Sequence, residues 1–175
     1  VKETELSKLL TDLGNRPSMV ITDSQAFAQA SQVVPEEILL TSFSILMARY
    51  KGFLKTAVAG AEVINSLANG DRILICEGCT HHRQCDDIGT VKLPRWLEEY
   101  TGKQFDYKFS SGGGFPDDLS GFSLIIHCGG CMLNEREVKY RMKCAEDAEI
   151  PFTNYGTLIA CTQGILSRTL EVFQS

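Results

Sequence analysis

The chain has 175 residues, 43% hydrophobic and 22% charged, with a net charge of −5. That is enough apolar residue for one compact domain or two small ones. The acidic balance, with no basic run or basic-aromatic stripe, argues against nucleic acid as a partner.

Apolar stretches are broken by Ser, Lys or Gly within a few residues, so no segment is expected to span a membrane. No charged-then-apolar leader opens the chain, so a secretory signal is not expected either. The 7 cysteines are an odd number, and their CxxC spacings suit metal better than a disulfide framework. A reducing, cytoplasmic compartment follows as the expectation.

In chain order, "KETELSKLLTDLG" sets Leu6, Leu9, Leu10 and Leu13 on one helical face, with Gly14 placed to stop the helix. "SMVIT" reads as a short buried strand, and Asp23 can cap a helix through "SQAFAQA". Pro35 breaks that pattern, and "ILL" reads as a second strand. From Thr41, placed as an N-cap, a long apolar helical region runs through Phe43, Leu46, Tyr50, Phe53, Ala57, Ala61 and Ile64. "ANGD" is a clean break, and the domain boundary is put there, giving modules 1–69 and 70–175.

"RILIC" then reads as a buried strand followed by the "CTHHRQCDD" loop. "LPRWLEEYTG" reads as a helix with Pro94 in its first turn and Gly102 at its end. "QFDYKFS" alternates like a strand, "SGGGFPDD" is a loop, and "FSLIIH" is an apolar strand running into "CGGC". Asn134 and Glu137 form a capping pair for the next helix. "IPFTNYG" returns as a strand, and "TLIACTQGILSRTLEVF" closes the chain as an amphipathic helix. Strands alternating with helices predict an α/β fold: two small α/β modules with largely parallel sheets flanked by helices.

All 3 histidines and four of the 7 cysteines fall in two pieces, "CEGCTHH" and "IIHCGGCM". Each piece follows a predicted buried strand. Ligands of open α/β sheets bind beyond the carboxyl ends of strands, so the two pieces are expected to share one crevice and hold one metal centre. The ligand-capable set is Cys79, His81, His82, His127, Cys128 and Cys131, with Cys76 and Cys85 nearby.

Thiolates select zinc or iron–sulfur over hard cations, and donors alone leave those two level. Zinc would make the domain structural or hydrolytic. The deaminase pattern of H-x-E with P-C-x-x-C is absent from the sequence. Cys76 reads as a small core residue, Cys144 and Cys161 as packed thiols, and Trp96 as helix core. Asp86 and Asp87 read as loop or cap acids. Glu77 is a carboxylate alternative as a ligand, and Arg83 and Lys92 are cations that could offset the local acidity.

The paired pieces go further. Cys79-Thr80-His81, a gap from His82 to Ile126, then His127-Cys128-Gly129-Gly130-Cys131 resembles the CxH…HCxxC signature of the HydF family of FeFe-hydrogenase maturation factors, with the gap near its short end. "TDSQAF", "LTSFSILMARYKG" and "NYG" are similar to family segments too, so the resemblance covers nearly the whole chain.

It implies a 4Fe–4S cluster bound by Cys79, Cys128 and Cys131, with an exchangeable fourth ligand for which His81 and His127 are the candidates. It implies a homodimeric scaffold without catalysis of its own, which carries a diiron subcluster precursor from two radical-SAM maturases to apo FeFe-hydrogenase. Family members also carry a GTPase domain. No GxxxxGK[ST] loop occurs here, so this chain is expected to hold the dimerisation domain (1–69, shortened at its start) and the cluster-binding domain (70–175). Cys85 lies outside the signature; a bond from it would close the cluster with four thiolates.

Overall fold

The computed structural model describes residues 2–78 and 87–174, arranged around two sheets whose strands all run parallel. The smaller sheet pairs β1 (Met19–Thr22) with β2 (Leu39–Ser42), Met19 opposite Leu39 and Thr22 opposite Ser42. α1 (Leu6–Asp12) and α2 (Phe27–Val33) flank it. Ala30, Val34, Ile38 and Leu40 make its buried core, with Leu6, Leu10 and Val20 packed on them.

The larger sheet has β3 (Arg72–Glu77), β4 (Asp106–Ser111), β5 (Leu124–His127) and β6 (Phe152–Asn154) in the order β4-β3-β5-β6. Burial on both faces requires strands that are apolar without interruption. "RILIC" and "LIIH" meet that demand, and Ile73 to Cys76 and Leu124 to Ile126 are all buried.

Side chains alternate across the sheet. Ile73, Ile75, Leu124 and Ile126 join one core with Leu93 and Leu97 of α5 (Leu93–Thr101) and Leu158 of α7 (Tyr155–Thr162). Leu74, Cys76 and Ile125 join the other, with Ala57 of α4 (Leu54–Glu62) and Val138 and Ala145 of α6 (Glu135–Asp147). The predicted α/β class and all six strands stand.

Four local expectations are corrected. The apolar region 43–64 is two helices, α3 (Phe43–Tyr50) and α4, because the chain turns at Gly52 with φ +80°. Ser42, not Thr41, caps α3 by accepting from Ile45 N; Thr41 belongs to β2. α1 ends on extended Leu13 before Gly14 is reached. The closing helix is likewise broken at Gly164 (φ +70°) into α7 and α8 (Leu166–Leu170), and α7 is buried from Tyr155 to Ala160 instead of being amphipathic. A residue held in the left-handed region interrupts a helix that its apolar pattern would continue.

Candidate metal centre

β3 and β5 are neighbours in register, Cys76 opposite His127, so the chain leaves both strands at the same edge of the sheet. Cys128 N donates to Cys76 O at 2.8 Å, extending the ladder one step past β5. Gly78 N, the last described amide before Cys79, donates to Cys128 Sγ at 3.1 Å. Gly130 N donates to the same sulfur at 3.3 Å. Gly130 sits at φ +65°, where a side chain would strain the turn that brings its amide round. Two amides aimed at one sulfur favour the thiolate, the form that binds metal. The donor chemistry fits a thiolate-ligated group.

Beside Cys128 and Cys131 opens a crevice of about 300 Å³. Its walls include Glu77 of β3, Tyr155 at the start of α7, and Asp23, Ser24, Gln25, Phe43 and Ser44 from the N-terminal segment. Asn154 positions this wall: its Oδ1 accepts from Thr157 N at 2.9 Å to start α7, and its Nδ2 donates to Ser44 O at 3.0 Å. Tyr155 Oη donates to Glu77 Oε1 at 3.4 Å, and burial raises the phenol pKa well above its usual value. Cys131 is exposed and Cys128 half-buried.

Cys79, His81, His82, Arg83, Cys85 and Asp86 lie outside the described residues. Among the described residues, no three His, Cys, Asp or Glu side chains are grouped as a metal site would require.

His127 is fully buried and absent from the crevice walls. Arg141 Nη1 lies 3.2 Å from His127 Nε2. A guanidinium can only donate, so Nε2 accepts and Nδ1 carries the proton, donating to Cys128 O at 2.8 Å. Burial, with the charges of Arg141 and Lys51 adding to it, pushes the imidazole down to about 4. Its ring stacks on Phe152, with centroids 5.8 Å apart.

Arg141 is the largest fully buried side chain. It also pairs with Glu137 at 2.8 Å, donates to Gly112 O at 2.6 Å and lies over the Phe115 ring. It therefore ties the "SGGGF" loop to the cysteine strand. Sequence reading missed it, although Glu137 four residues before it on one helix face was a usable signal.

Lys51 was missed as well. It is 5% exposed, and its Nζ donates to Gly130 O and, at 2.7 Å, to Leu133 O. Cys76 is buried, and burial pushes its thiol up to about 12, as a core residue requires. Asp87 is a cap acid, accepting from Gly89 N and Thr90 N at 3.1 and 2.9 Å. Lys92 donates to Gln25 Oε1 at 2.9 Å.

Fold and site define a parallel α/β protein whose thiols sit at the carboxyl edge of its sheet, walled by an N-terminal segment. Residues 1–52 match the Hydrogen maturase F dimerization domain and residues 55–172 the Hydrogen maturase F tetramerization domain. The chain belongs to the hydrogen maturase F family, and that membership ties it to hydrogenase maturation. Both descriptions name self-association, and neither names a catalytic activity. Comparison with curated proteins gives no match. Among the described residues, no helix is long and apolar enough to cross a membrane.

Proposed function

We propose that the chain is a cytoplasmic iron–sulfur scaffold of hydrogenase maturation. Cys79, Cys128 and Cys131 hold a 4Fe–4S cluster whose fourth iron keeps an exchangeable ligand, and the diiron subcluster precursor docks there as cargo. The partners are a second copy of the chain, two radical-SAM maturases, apo FeFe-hydrogenase and a GTPase domain. Dimerisation is assigned to the residues before the break at 68–71, and cluster holding to those after it, which lie in the segment that matches a tetramerization domain. The observation that carries this is the adjacency of β3 and β5, which brings Gly78, the residue before the CxH piece, to the sheet edge where the HCxxC piece begins, with Gly78 N on Cys128 Sγ.

The bound group would supply an open metal coordination site, and the chain's own residues do the holding. Backbone amides of Gly78 and Gly130 steady the Cys128 thiolate. His127, with both nitrogens engaged, orients the Cys128 carbonyl. That assignment leaves His81 the stronger candidate for the exchangeable ligand, with Glu77 on the crevice wall as the carboxylate alternative.

Anaerobic reconstitution tests the reading. A brown protein with about four irons per chain is expected, whose reduced electron paramagnetic resonance spectrum shifts on adding imidazole or cyanide. A colourless protein with one tightly held zinc ends the proposal, and an unchanged spectrum ends the open-site part of it.

A further inference from the structure

Behind the Cys128–Cys131 turn lies a cation that the proposed chemistry has not used. Lys51 follows α3 at its C-cap, a position that the helix dipole favours for a positive charge. Its side chain is buried, and among the described residues it pairs with no carboxylate. Its ammonium instead donates to Gly130 O and Leu133 O. Those two residues are themselves joined by Leu133 N donating to Gly130 O at 3.1 Å, so the lysine closes the open side of the cysteine turn.

A buried ammonium held by carbonyls is costly unless negative charge lies nearby; the Glu135 carboxylate, whose pKa Lys51 helps to lower, is exposed and pairs with Lys139 instead. The turn it grips carries Cys128, whose sulfur receives two amide protons. Lys51 also crosses a division in the chain: it lies in the segment matching the dimerization domain, and the turn lies in the segment matching the tetramerization domain.

We propose that Lys51 is a positioning residue of the metal centre. It locks the Cys128–Cys131 turn from the N-terminal segment and supplies the counter-charge for a thiolate-bound anionic group held there. The counter-charge half rests on the iron–sulfur reading, and the turn-locking half stands without it. A cluster ligated by three thiolates gains negative charge on reduction, so a fixed cation beside it favours the reduced form.

Two variants of the full chain separate the halves. Lys51→Met removes both charge and donor, while Lys51→Gln removes the charge but keeps an N–H donor and is the variant on which folding is secured. In metal-free protein, iodoacetamide is expected to modify Cys128 about tenfold faster in Lys51→Met than in the parent, as the Leu133 carbonyl loses the lysine, the Gly130 carbonyl is left with Leu133 N, and the turn opens. Lys51→Gln should fall between them. After anaerobic reconstitution, both variants should show a midpoint potential lower than the parent's, a change that a purely structural staple would not produce.

Equal alkylation rates in the parent and both variants overturn the turn-locking role, whether or not iron binds. An unchanged midpoint in folded Lys51→Gln overturns the counter-charge role. Failure of the parent chain to take up iron counts against the cluster reading alone, because the alkylation ratio is read without metal.

Discussion

At the scale of single residues, the site is governed by buried groups whose polar atoms are spoken for. Arg141 satisfies His127 Nε2, the Gly112 carbonyl and the Glu137 carboxylate from one buried guanidinium. Replacing it with Met leaves a buried imidazole nitrogen and a part-buried carbonyl without this donor, each loss costing about 1–3 kcal/mol. Arg141→Met should therefore destabilise the metal-free protein by about 3 kcal/mol in urea unfolding; an unchanged midpoint would contradict the network. The cysteines separate by the same logic of burial. Cys76, buried and pushed up to about 12, should resist iodoacetamide at pH 8.5 in the folded protein, while exposed Cys131 reacts. Peptide mass spectrometry reads both, and labelling of Cys76 before Cys131 would refute the placement.

At the scale of elements, apolar patterning and caps made the architecture legible. The strands "RILIC" and "FSLIIH" were readable because a parallel sheet buried on both faces leaves no polar alternation to confuse them. Asn134 and Asp23 were readable because each accepts a backbone N–H two or three residues on. What patterning could not show was where helices stop. Gly52 and Gly164 break runs whose apolar spacing continues beyond them, and the left-handed turn at each depends on the tertiary setting. The shared sheet edge followed from each piece trailing a buried strand of a largely parallel sheet, whereas Lys51 and Arg141 act across 79 and 29 residues of chain, a reach no local window contains. A close approach between elements is equally hidden. An added Cβ on Gly60 of α4 would lie 2.2 Å from the Phe152 carbonyl oxygen of β6. Both partners are backbone, so neither can give way cheaply. Gly60→Ala should cost about 1–3 kcal/mol despite the better helix propensity of alanine. A thermal melt at or above the parent's would show that α4 does not pack there.

At the scale of the whole molecule, the small sheet and the large one are joined at several places, among them Asn154 on Ser44 and Lys92 on Gln25. Lys51 reaches the cysteine turn from one side. On the other, Arg168 of α8 donates to Ser31 O at 3.3 Å and to Val34 O and Pro35 O at 2.8 Å, covering carbonyls at the C-terminus of α2. α8 also packs on β2. Such a chain should unfold as one cooperative unit even though its two family matches meet near residue 53. The 1 tryptophan, Trp96 in α5, packs against the core beside the large sheet, a core that also takes in Phe27 of α2, while far-UV circular dichroism averages over both sheets. In urea the two signals should trace one curve for the parent chain. In Arg168→Ala the carbonyls at the end of α2 lose their donor and the small sheet loses one of its ties. Dichroism should then begin to fall before Trp96 fluorescence moves. Two separate curves in the parent would show that the sheets fold independently, and the N-terminal wall of the crevice would then be free to part from the cysteines it faces.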